Sequence, residues 1–198
     1  MSNTVNRMDP LLSMNDKKMF YKFLDTSIVY FEYGAGGSTY QANIRNNIRT
    51  IYSVESDIEW IYYIKQHIEY SKINFLFNDM DTQPDNFGHP GENSTASQRI
   101  NYSNQMRKLS KEEQSSIDFV LIDGRFRVAC CLKCFDIVEP HCLIAFDDLL
   151  NRKQYEIVLD YFNVIDKTSD NCMAILRKKK DVLSIPEDII HKYELISE

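Results

Sequence analysis

An acidic residue stands directly before a glycine-rich turn in the stretch IVYFEYGAGGST, residues 28–39. Glu32 lies near the end of a β-branched and aromatic run, and Gly34, Gly36 and Gly37 follow it closely. Glycine adopts positive φ angles without strain and lets a ligand approach the backbone. In open α/β sheets, ligands bind beyond the carboxyl ends of the strands. The stretch therefore predicts a ligand-binding turn with a carboxylate at its mouth.

The spacing of the glycines disfavours a dinucleotide as the ligand. A G-x-G-x-x-G fingerprint that starts at Gly34 requires glycine at position 39, which is Thr39. The carboxylate of Glu32 would repel a pyrophosphate but attract the ammonium and sulfonium charges of S-adenosylmethionine. A second acid, Glu55, stands 19 residues after Gly36, close to the spacing of an acid that binds ribose hydroxyls. Together the two acids predict an S-adenosylmethionine site.

The predicted cofactor-binding set extends from the turn to the ends of neighbouring strands. An alternative for Glu55 is that it only caps the helix that follows its strand. The predicted cofactor-binding residues are Glu32, Gly34, Ala35, Gly36, Gly37, Ser38, Thr39, Glu55, Ser56, Asp79 and Asp123.

Three acids are expected to meet at one rim of the sheet. Asp123 ends one buried run, and Asp147 and Asp148 end the next. Such a cluster repels itself unless a cation or a shared proton compensates. One expectation is that the three acids bind Mg²⁺ or another divalent cation, which would lower the pKa of an acceptor hydroxyl. Without a metal, the general base would be Asp147, Asp148 or His89, the last from a long loop.

Other side chains have both a binding and a structural interpretation. Arg125 and Arg127 would bind an acidic or hydroxylated acceptor through forked hydrogen bonds, or instead pair with the rim carboxylates. Trp60 would stack on adenine or pack in the core. Cys130 and its neighbours lack a paired C-x-x-C knuckle, which favours buried thiols over a zinc site.

The hydrophobic pattern alternates between helix and strand periods along the chain. Polar and turn-forming residues crowd into residues 78–95, which predicts a loop there. Helices are predicted over residues 14–24, 38–47, 57–67, 98–109, 125–138 and 153–162. Strands are predicted over residues 28–33, 50–55, 73–77, 117–123, 141–148, 163–166 and 172–177.

This order predicts an α/β fold: a Rossmann-like, doubly wound, mostly parallel seven-stranded sheet with an antiparallel C-terminal hairpin strand and helices on both faces. The 198 residues suit a single domain. Within it we expect an N-terminal helical extension (1–26), a substrate-side loop and helix (78–110) and a C-terminal tail (178–198).

Charge and hydropathy limit the classes of partner. A net charge of −6 disfavours nucleic acid, and the basic run RKKK at residues 177–180 is interpreted as a solvated end of the last strand. No apolar run is long enough to cross a membrane, and the N-terminus lacks a signal-peptide core, which predicts a cytoplasmic protein. The expected partner is a small-molecule or glycan acceptor, and a homodimer is compatible with the sequence.

The stretch EYGAGGST, followed by IYSVESD, resembles motif I and the following acid of the class I S-adenosylmethionine-dependent methyltransferases. The terminal hairpin is similar to their strands six and seven. The stretches NDMDTQPDNFGHP, DFVLIDGRFRVACCLKC and DDLLNRKQY resemble a group of these enzymes with a D-G-R-F-R-x-A-C signature, often associated with polysaccharide biosynthesis. The resemblance covers about residues 28–177.

The resemblance implies an O-methyltransferase that acts on a sugar or glycan hydroxyl. The chain has Ser38 at the usual third motif glycine, and Phe87 where relatives tend to have tryptophan before GHP. The rim acids are similar to those of metal-dependent catechol-type methyltransferases, whose catalytic lysine has no counterpart in this sequence. Two alternatives are an NAD-dependent oxidoreductase, which Thr39 and Glu32 oppose, and a non-catalytic nucleoside-binding module, which the rim acids oppose.

Overall fold

A computed structural model describes residues 8–170 and 172–197 of the chain. The strands are β1 Val29–Tyr33, β2 Thr50–Glu55, β3 Ile73–Phe77, β4 Phe119–Ile122, β5 Leu143–Phe146, β6 Phe162–Lys167 and β7 Ala174–Lys178. The α-helices are α1 Met14–Leu24, α2 Gly37–Asn43, α3 Ile58–His67, α4 Ala96–Ser103, α5 Lys111–Ser116, α6 Arg127–Cys134 and α7 Glu187–Tyr193. Two 3₁₀ segments are Gln105–Lys108 and Lys153–Asp160.

All seven strands pair into one sheet in the order β3-β2-β1-β4-β5-β7-β6. Strands β3, β2, β1, β4 and β5 run parallel, and β7 pairs antiparallel with both β5 and β6. The chain moves outward from β1 to β3 on one side and from β4 to β5 on the other, so the order reverses between β1 and β4. This reversal places a ligand-binding crevice at the carboxyl ends of those strands.

Both faces of the sheet are buried, which explains why the central strands are almost uniformly apolar. Along β1 the side chains alternate between two apolar clusters: Phe31 and Tyr33 pack with the residues of α6, and Tyr30 packs with Phe20 of α1. Glu32 shares the face of Tyr30 and is fully buried. A charged group at the centre of such a sheet needs internal hydrogen-bond partners.

The predicted sheet, its parallel part and its antiparallel hairpin are confirmed. The predicted helix over residues 98–109 is wrong in extent, because it divides into α4 and a 3₁₀ turn. The segment 153–160 is a 3₁₀ helix rather than an α-helix. Helices α5 and α7 were not predicted, although Ser110 and Glu113 form a capping box that is readable in the sequence.

The cysteine side chains of α6 and of the residue directly before β5 lie in the core. Cys130, Cys131, Cys134 and Cys142 are buried free thiols, as expected. Burial raises the pKa of Cys131, Cys134 and Cys142. Within residues 8–170 and 172–197, no helix has both the length and the apolar character needed to cross a bilayer.

The C-terminal tail is fastened to the domain by a buried ion pair. Nζ of Lys133 lies 2.5 Å from Oε1 of Glu194, and their side chains are 2% and 7% exposed. The same ammonium donates to Oγ of Ser103 at 2.9 Å. The pair therefore links α6, the end of α4 and the segment after α7.

We expect Glu194→Gln to lower the free energy of unfolding by about 3 kcal/mol, because it leaves the Lys133 ammonium buried without its counterion. Urea denaturation of the purified protein measures this. The control is Glu187→Gln, an exposed acid in α7. A double variant, Lys133→Met with Glu194→Leu, should recover most of the loss. Equal midpoints for Glu194→Gln and Glu187→Gln would contradict the expectation.

Candidate functional site

A cavity of about 620 Å³ opens at the carboxyl ends of the parallel strands. Its walls come from the glycine turn after β1, the acids after β2, the loop of residues 85–88, the segments after β4 and β5, and the N-terminal segment before α1. The lining consists of residues 9–13 and 34–38 together with Asp16, Glu55, Asp57, Trp60, Asp85, Phe87, Gly88, Tyr102, Asp123, Gly124, Arg125, Arg127, Asp147, Asp148 and Cys172.

The glycine turn is shaped partly by close contacts within the chain. Gly34 has a φ of +96°, and a Cβ there would lie 2.9 Å from the Cα of Gly124. A Cβ on Gly37 would lie 2.3 Å from the backbone nitrogen of Pro10. At Gly36, by contrast, a Cβ would meet only the ring of Trp60, at 3.9 Å. Gly36 therefore leaves open space beside an indole ring inside the cavity.

Glu32 does not line the cavity, although the sequence suggests direct contact with a ligand. Its carboxylate accepts hydrogen bonds from the hydroxyls of Tyr30 (2.9 Å), Ser38 (2.6 Å), Ser53 (2.7 Å) and Thr39. Burial raises the pKa of Glu32 to about 7, against the lowering effect of these hydroxyl donors. Because Ser38 and Thr39 belong to the first turn of α2, Glu32 holds the glycine turn from beneath.

Glu55 does line the cavity, at the end of β2. Its Oε1 accepts from the backbone N–H groups of Ser56 (2.6 Å) and Asp57 (2.9 Å). Its Oε2 accepts from the N–H of Ala35 at 3.1 Å, which ties it to the glycine turn. Burial raises the pKa of Glu55, while the backbone donors lower it. A carboxylate oxygen can accept more than one hydrogen bond, so Oε2 can still receive a ligand hydroxyl.

The indole of Trp60 closes this end of the cavity. Its Nε1 donates to the carbonyl of Ala35 at 2.8 Å, and its ring stacks on Tyr63 at 5.1 Å. Ser56 is buried behind Glu55, and its hydroxyl donates to the carbonyl of Gly88 at 3.2 Å. Trp60 therefore lines the cavity while its ring packs on the partly buried ring of Tyr63.

The structure separates the predicted cofactor residues into three groups. Seven of them line the cavity: Gly34, Ala35, Gly36, Gly37, Ser38, Glu55 and Asp123. Glu32, Thr39 and Ser56 lie behind that lining. Asp79 lies outside the cavity wall and is exposed, and its Oδ1 accepts from the N–H of Asp81 at 2.9 Å. A cofactor contact for Asp79 stays a prediction.

The guanidinium of Arg127 forms ion pairs with all three rim carboxylates. Its Nη2 lies 3.0 Å from Oδ1 of Asp123, and its Nη1 lies 3.2 Å from Oδ2 of Asp147 and 3.1 Å from Oδ2 of Asp148. It also donates to the carbonyls of Gly124 (3.1 Å) and Asp147 (2.9 Å). Arg127 is thus the compensating cation, and it pairs with the rim carboxylates as one sequence interpretation expected.

The three carboxylates do not fit a divalent cation in this arrangement. One oxygen of each is already bound to the Arg127 guanidinium, and Oδ2 of Asp148 also lies 2.6 Å from Nη2 of Arg152. At Asp123, Asp147 and Asp148, the guanidinium of Arg127 therefore supplies the compensating positive charge that was expected of Mg²⁺.

Another group of candidate metal ligands, Asp16, Asp147 and Cys172, lies nearby. Asp16 already accepts hydrogen bonds from the hydroxyl of Ser13 and the N–H of Met173. Both of its carboxylate oxygens are therefore used in fixing the chain.

Asp147 has the chemistry of a general base that operates near neutral pH. Burial, together with the negative charge of Asp123, raises the pKa of Asp147 to about 8, although Arg127 opposes the shift. The pKa of Asp123 is also raised by burial, and the two carboxyls hydrogen-bond each other. The two carboxyls therefore titrate as a coupled pair.

His89 contacts Arg125 rather than the cavity. Nη1 of Arg125 lies 2.9 Å from Nε2 of His89, and Arg125 itself lines the cavity. Burial and the charge of Arg125 lower the pKa of His89, so the neutral imidazole accepts this hydrogen bond. The geometry makes His89 a support for the Arg125 side chain, and a role as base stays a prediction.

The N-terminal segment is the part of the site that sequence reasoning missed. Pro10 lies against Gly37, Asp9 pairs with Lys17 at 2.5 Å, and Ser13 caps α1. Tyr102, which was also missed, places its hydroxyl only 2.2 Å from where a Cβ on Gly124 would be. Only the Ser13 cap was readable in advance, since S-x-x-D before an apolar run marks a helix start.

The fold is that of solved methyltransferases. A methyltransferase-like protein from Silicibacter pomeroyi is similar with a TM-score of 0.80 at 23% identity, over 97% of this chain and 100% of that one. A proposed caffeoyl-CoA O-methyltransferase from Staphylococcus aureus has a TM-score of 0.51 at 15% identity, over 86% of each chain. A proposed tRNA (m1A22) methyltransferase from Streptococcus pneumoniae has a TM-score of 0.53 at 11% identity, over 91% of this chain and 76% of that one.

No protein-family model matches the chain, and no curated protein matches it. At these identities the similarity establishes the Rossmann-like methyltransferase fold alone.

We expect Glu32→Gln to change how stability depends on pH. The folded protein holds a proton on Glu32 up to about pH 7, whereas the pKa of an ordinary glutamate is 4.5. Its contribution to stability is therefore full below about pH 4.5 and is lost as the pH rises through 7, by about 3 kcal/mol. Urea unfolding from pH 4.5 to 8 should show this decline in the wild type and a flatter profile in the variant. Parallel profiles would contradict the assignment, and Glu59→Gln is the exposed control.

Proposed function

We propose that the protein is an S-adenosylmethionine-dependent methyltransferase. The observation that carries the proposal is the pairing of Glu55 with the glycine turn inside the cavity. The N–H of Ala35 and the carboxylate of Glu55 are joined at 3.1 Å, beside the open space at Gly36. The methyltransferase fold of the neighbours supports the same assignment.

The residues present fit this cofactor. The carboxylate of Glu55 suits ribose hydroxyls, and the face of Trp60 suits an aromatic base. The cofactor carries positive charge, and the backbone of Asp123, a second lining acid, lies against the turn, since a Cβ on Gly34 would lie 3.3 Å from the carbonyl carbon of Asp123. Glu32 contributes indirectly, because it fixes Ser38 and Thr39. When bound, the cofactor supplies an electrophilic methyl group.

We further propose that Asp147 removes the acceptor proton. Methyl transfer to oxygen requires an aligned hydroxyl and a base that is partly deprotonated near the working pH. Asp147 lines the cavity, and its raised pKa places it in that range. Arg127 holds Asp147 through two hydrogen bonds, one to the carboxylate and one to the backbone carbonyl.

The proposed acceptor is a hydroxyl of a sugar or glycan, methylated in the cytoplasm. The support is the D-G-R-F-R stretch, residues 123–127. Its Asp123 and two arginines all border the cavity, and forked guanidinium groups suit hydroxylated ligands. Arg125, supported by His89, is the arginine placed to reach such an acceptor. We propose no nucleic-acid or membrane partner.

We expect Glu55→Gln to raise the Kd for S-adenosylmethionine about 10- to 100-fold, because the ribose hydroxyls lose a charged hydrogen-bond acceptor. Isothermal titration calorimetry measures the Kd, and thermal melting checks that the variant is folded. Glu59→Gln, an exposed acid in α3, is the matched control. If Glu55→Gln binds the cofactor as tightly as the wild type, the cofactor site is wrongly placed.

We expect Asp147→Asn to lower kcat at least about 100-fold while cofactor binding persists, because the acceptor loses its base. In the wild type, kcat should rise with pH through about 8, as Asp147 deprotonates. Asp148→Asn should keep the rise in kcat but move it to lower pH, because the negative charge of Asp148 helps to raise the pKa of Asp147. A chelator should leave turnover unchanged, since Arg127 occupies the carboxylates. The assay measures transfer of a labelled methyl group to activated sugars and glycan fragments. Cofactor binding without turnover on any acceptor would instead support a non-catalytic module.

A further inference from the structure

Two large apolar side chains in the cavity wall are exposed to solvent. Leu11 is 77% exposed and Phe87 is 75% exposed, and both line the cavity. Apolar side chains that face water inside a cavity form surface that a ligand can cover. Neither residue belongs to the groups that handle the cofactor or the proton, so both are available for contact with another ligand.

Leu11 is exposed on a segment whose neighbouring residues are fixed. Before it, Pro10 is buried against the backbone of Gly37. After it, Leu12 is buried, and Asp16 accepts a hydrogen bond from the N–H of Met173 at 3.1 Å. Because both sides of Leu11 are anchored, its exposure reflects a fixed wall rather than a loose end.

Phe87 is exposed on a loop that is fixed in the same way. It has a φ of +50°, which is unfavourable for a bulky residue and persists only where the surroundings impose it. The following carbonyl, of Gly88, accepts from the hydroxyl of Ser56 at 3.2 Å. The next side chain, His89, lies 2.9 Å from Arg125.

The segment of Leu11 and the loop of Phe87 each extend from the cofactor end of the cavity, near the glycine turn and Ser56, to its acid end, near Asp147 and Arg125. The segment of Leu11 runs from the glycine turn at Gly37 to Asp16, which lies close to Asp147. The loop of Phe87 runs between Ser56, at the cofactor end, and Arg125. A methyl acceptor must occupy the space between these two ends.

We propose that Leu11 and Phe87 select the acceptor by packing on the apolar face of a six-membered ring that carries hydroxyls on its edge. This inference rests on the proposed methyltransferase function. The ring face would contact the leucine and phenyl side chains, while the edge hydroxyls would reach Asp147 and Arg125. Pyranoses and phenols both have such a face, and open-chain polyols do not. Leu11 and Phe87 are specificity residues in this proposal and take no part in proton transfer.

Ligand binding tests the proposal without requiring turnover. The full-length protein is saturated with S-adenosylhomocysteine and studied by saturation-transfer NMR with methyl hexopyranosides, catechol and the hexitols as probes. We expect saturation of ring C–H protons for at least one ring class and none for the hexitols. Leu11→Ala and Phe87→Ala should each weaken ring binding at least about tenfold. Phe87→Trp should retain it, because indole also stacks on a ring face.

The control is Leu183→Ala, which removes a leucine that is 94% exposed and lies outside the cavity lining. A pyranoside signal without a catechol signal assigns the ring to a sugar, and the reverse assigns it to a phenol. The proposal is overturned if hexitols and rings bind equally, if no ring binds, or if both alanine variants bind rings as the wild type does. Calorimetry with S-adenosylhomocysteine separates these outcomes from failure of the proposed function, since that failure would appear as loss of cofactor binding itself.

Discussion

The site depends on one buried guanidinium. Arg127 is the first residue of α6, and its side chain binds acids from the ends of both β4 and β5 together with backbone carbonyls from both segments. Without it, three carboxylates would crowd one rim of the sheet and the two segments would repel each other. With it, Asp147 stays close to Asp123, whose negative charge helps to raise the pKa of Asp147. The same contact with Arg127 therefore shapes the rim and limits the rise in the pKa of Asp147.

A second network joins the cofactor end to the sheet. Glu32 holds α2 through Ser38 and Thr39, and Glu55 holds the turn through the N–H of Ala35. The two acids act on opposite sides of the same turn, one from inside the protein and one from the cavity. The distinction is physical: hydroxyl donors saturate Glu32 in a buried setting, whereas Glu55 is bound mainly by backbone donors and keeps room for another hydroxyl.

The sequence was sufficient for the sheet, because buried parallel strands are uniformly apolar and the terminal hairpin has its own turn residues. It also identified the glycine turn and the strand-end acids of the lining, since glycines and acids at strand ends meet at one edge. It could not show which way Glu32 points, because that depends on hydroxyls from β2 and α2. Nor could it show that Arg127 would replace a metal, or that residues 9–13 would form a wall, because such contacts join segments far apart in the chain.

The contact between Pro10 and Gly37 connects the two halves of the cavity. No side chain can be placed on Gly37 without displacing the N-terminal segment, so the turn and that wall have to move together. A molecule that reshapes the turn on arrival would consequently adjust the space left for a second molecule, and the second would change the affinity for the first by the same factor. Coupling between two occupants of the cavity would thus pass through the backbone packing at a single glycine.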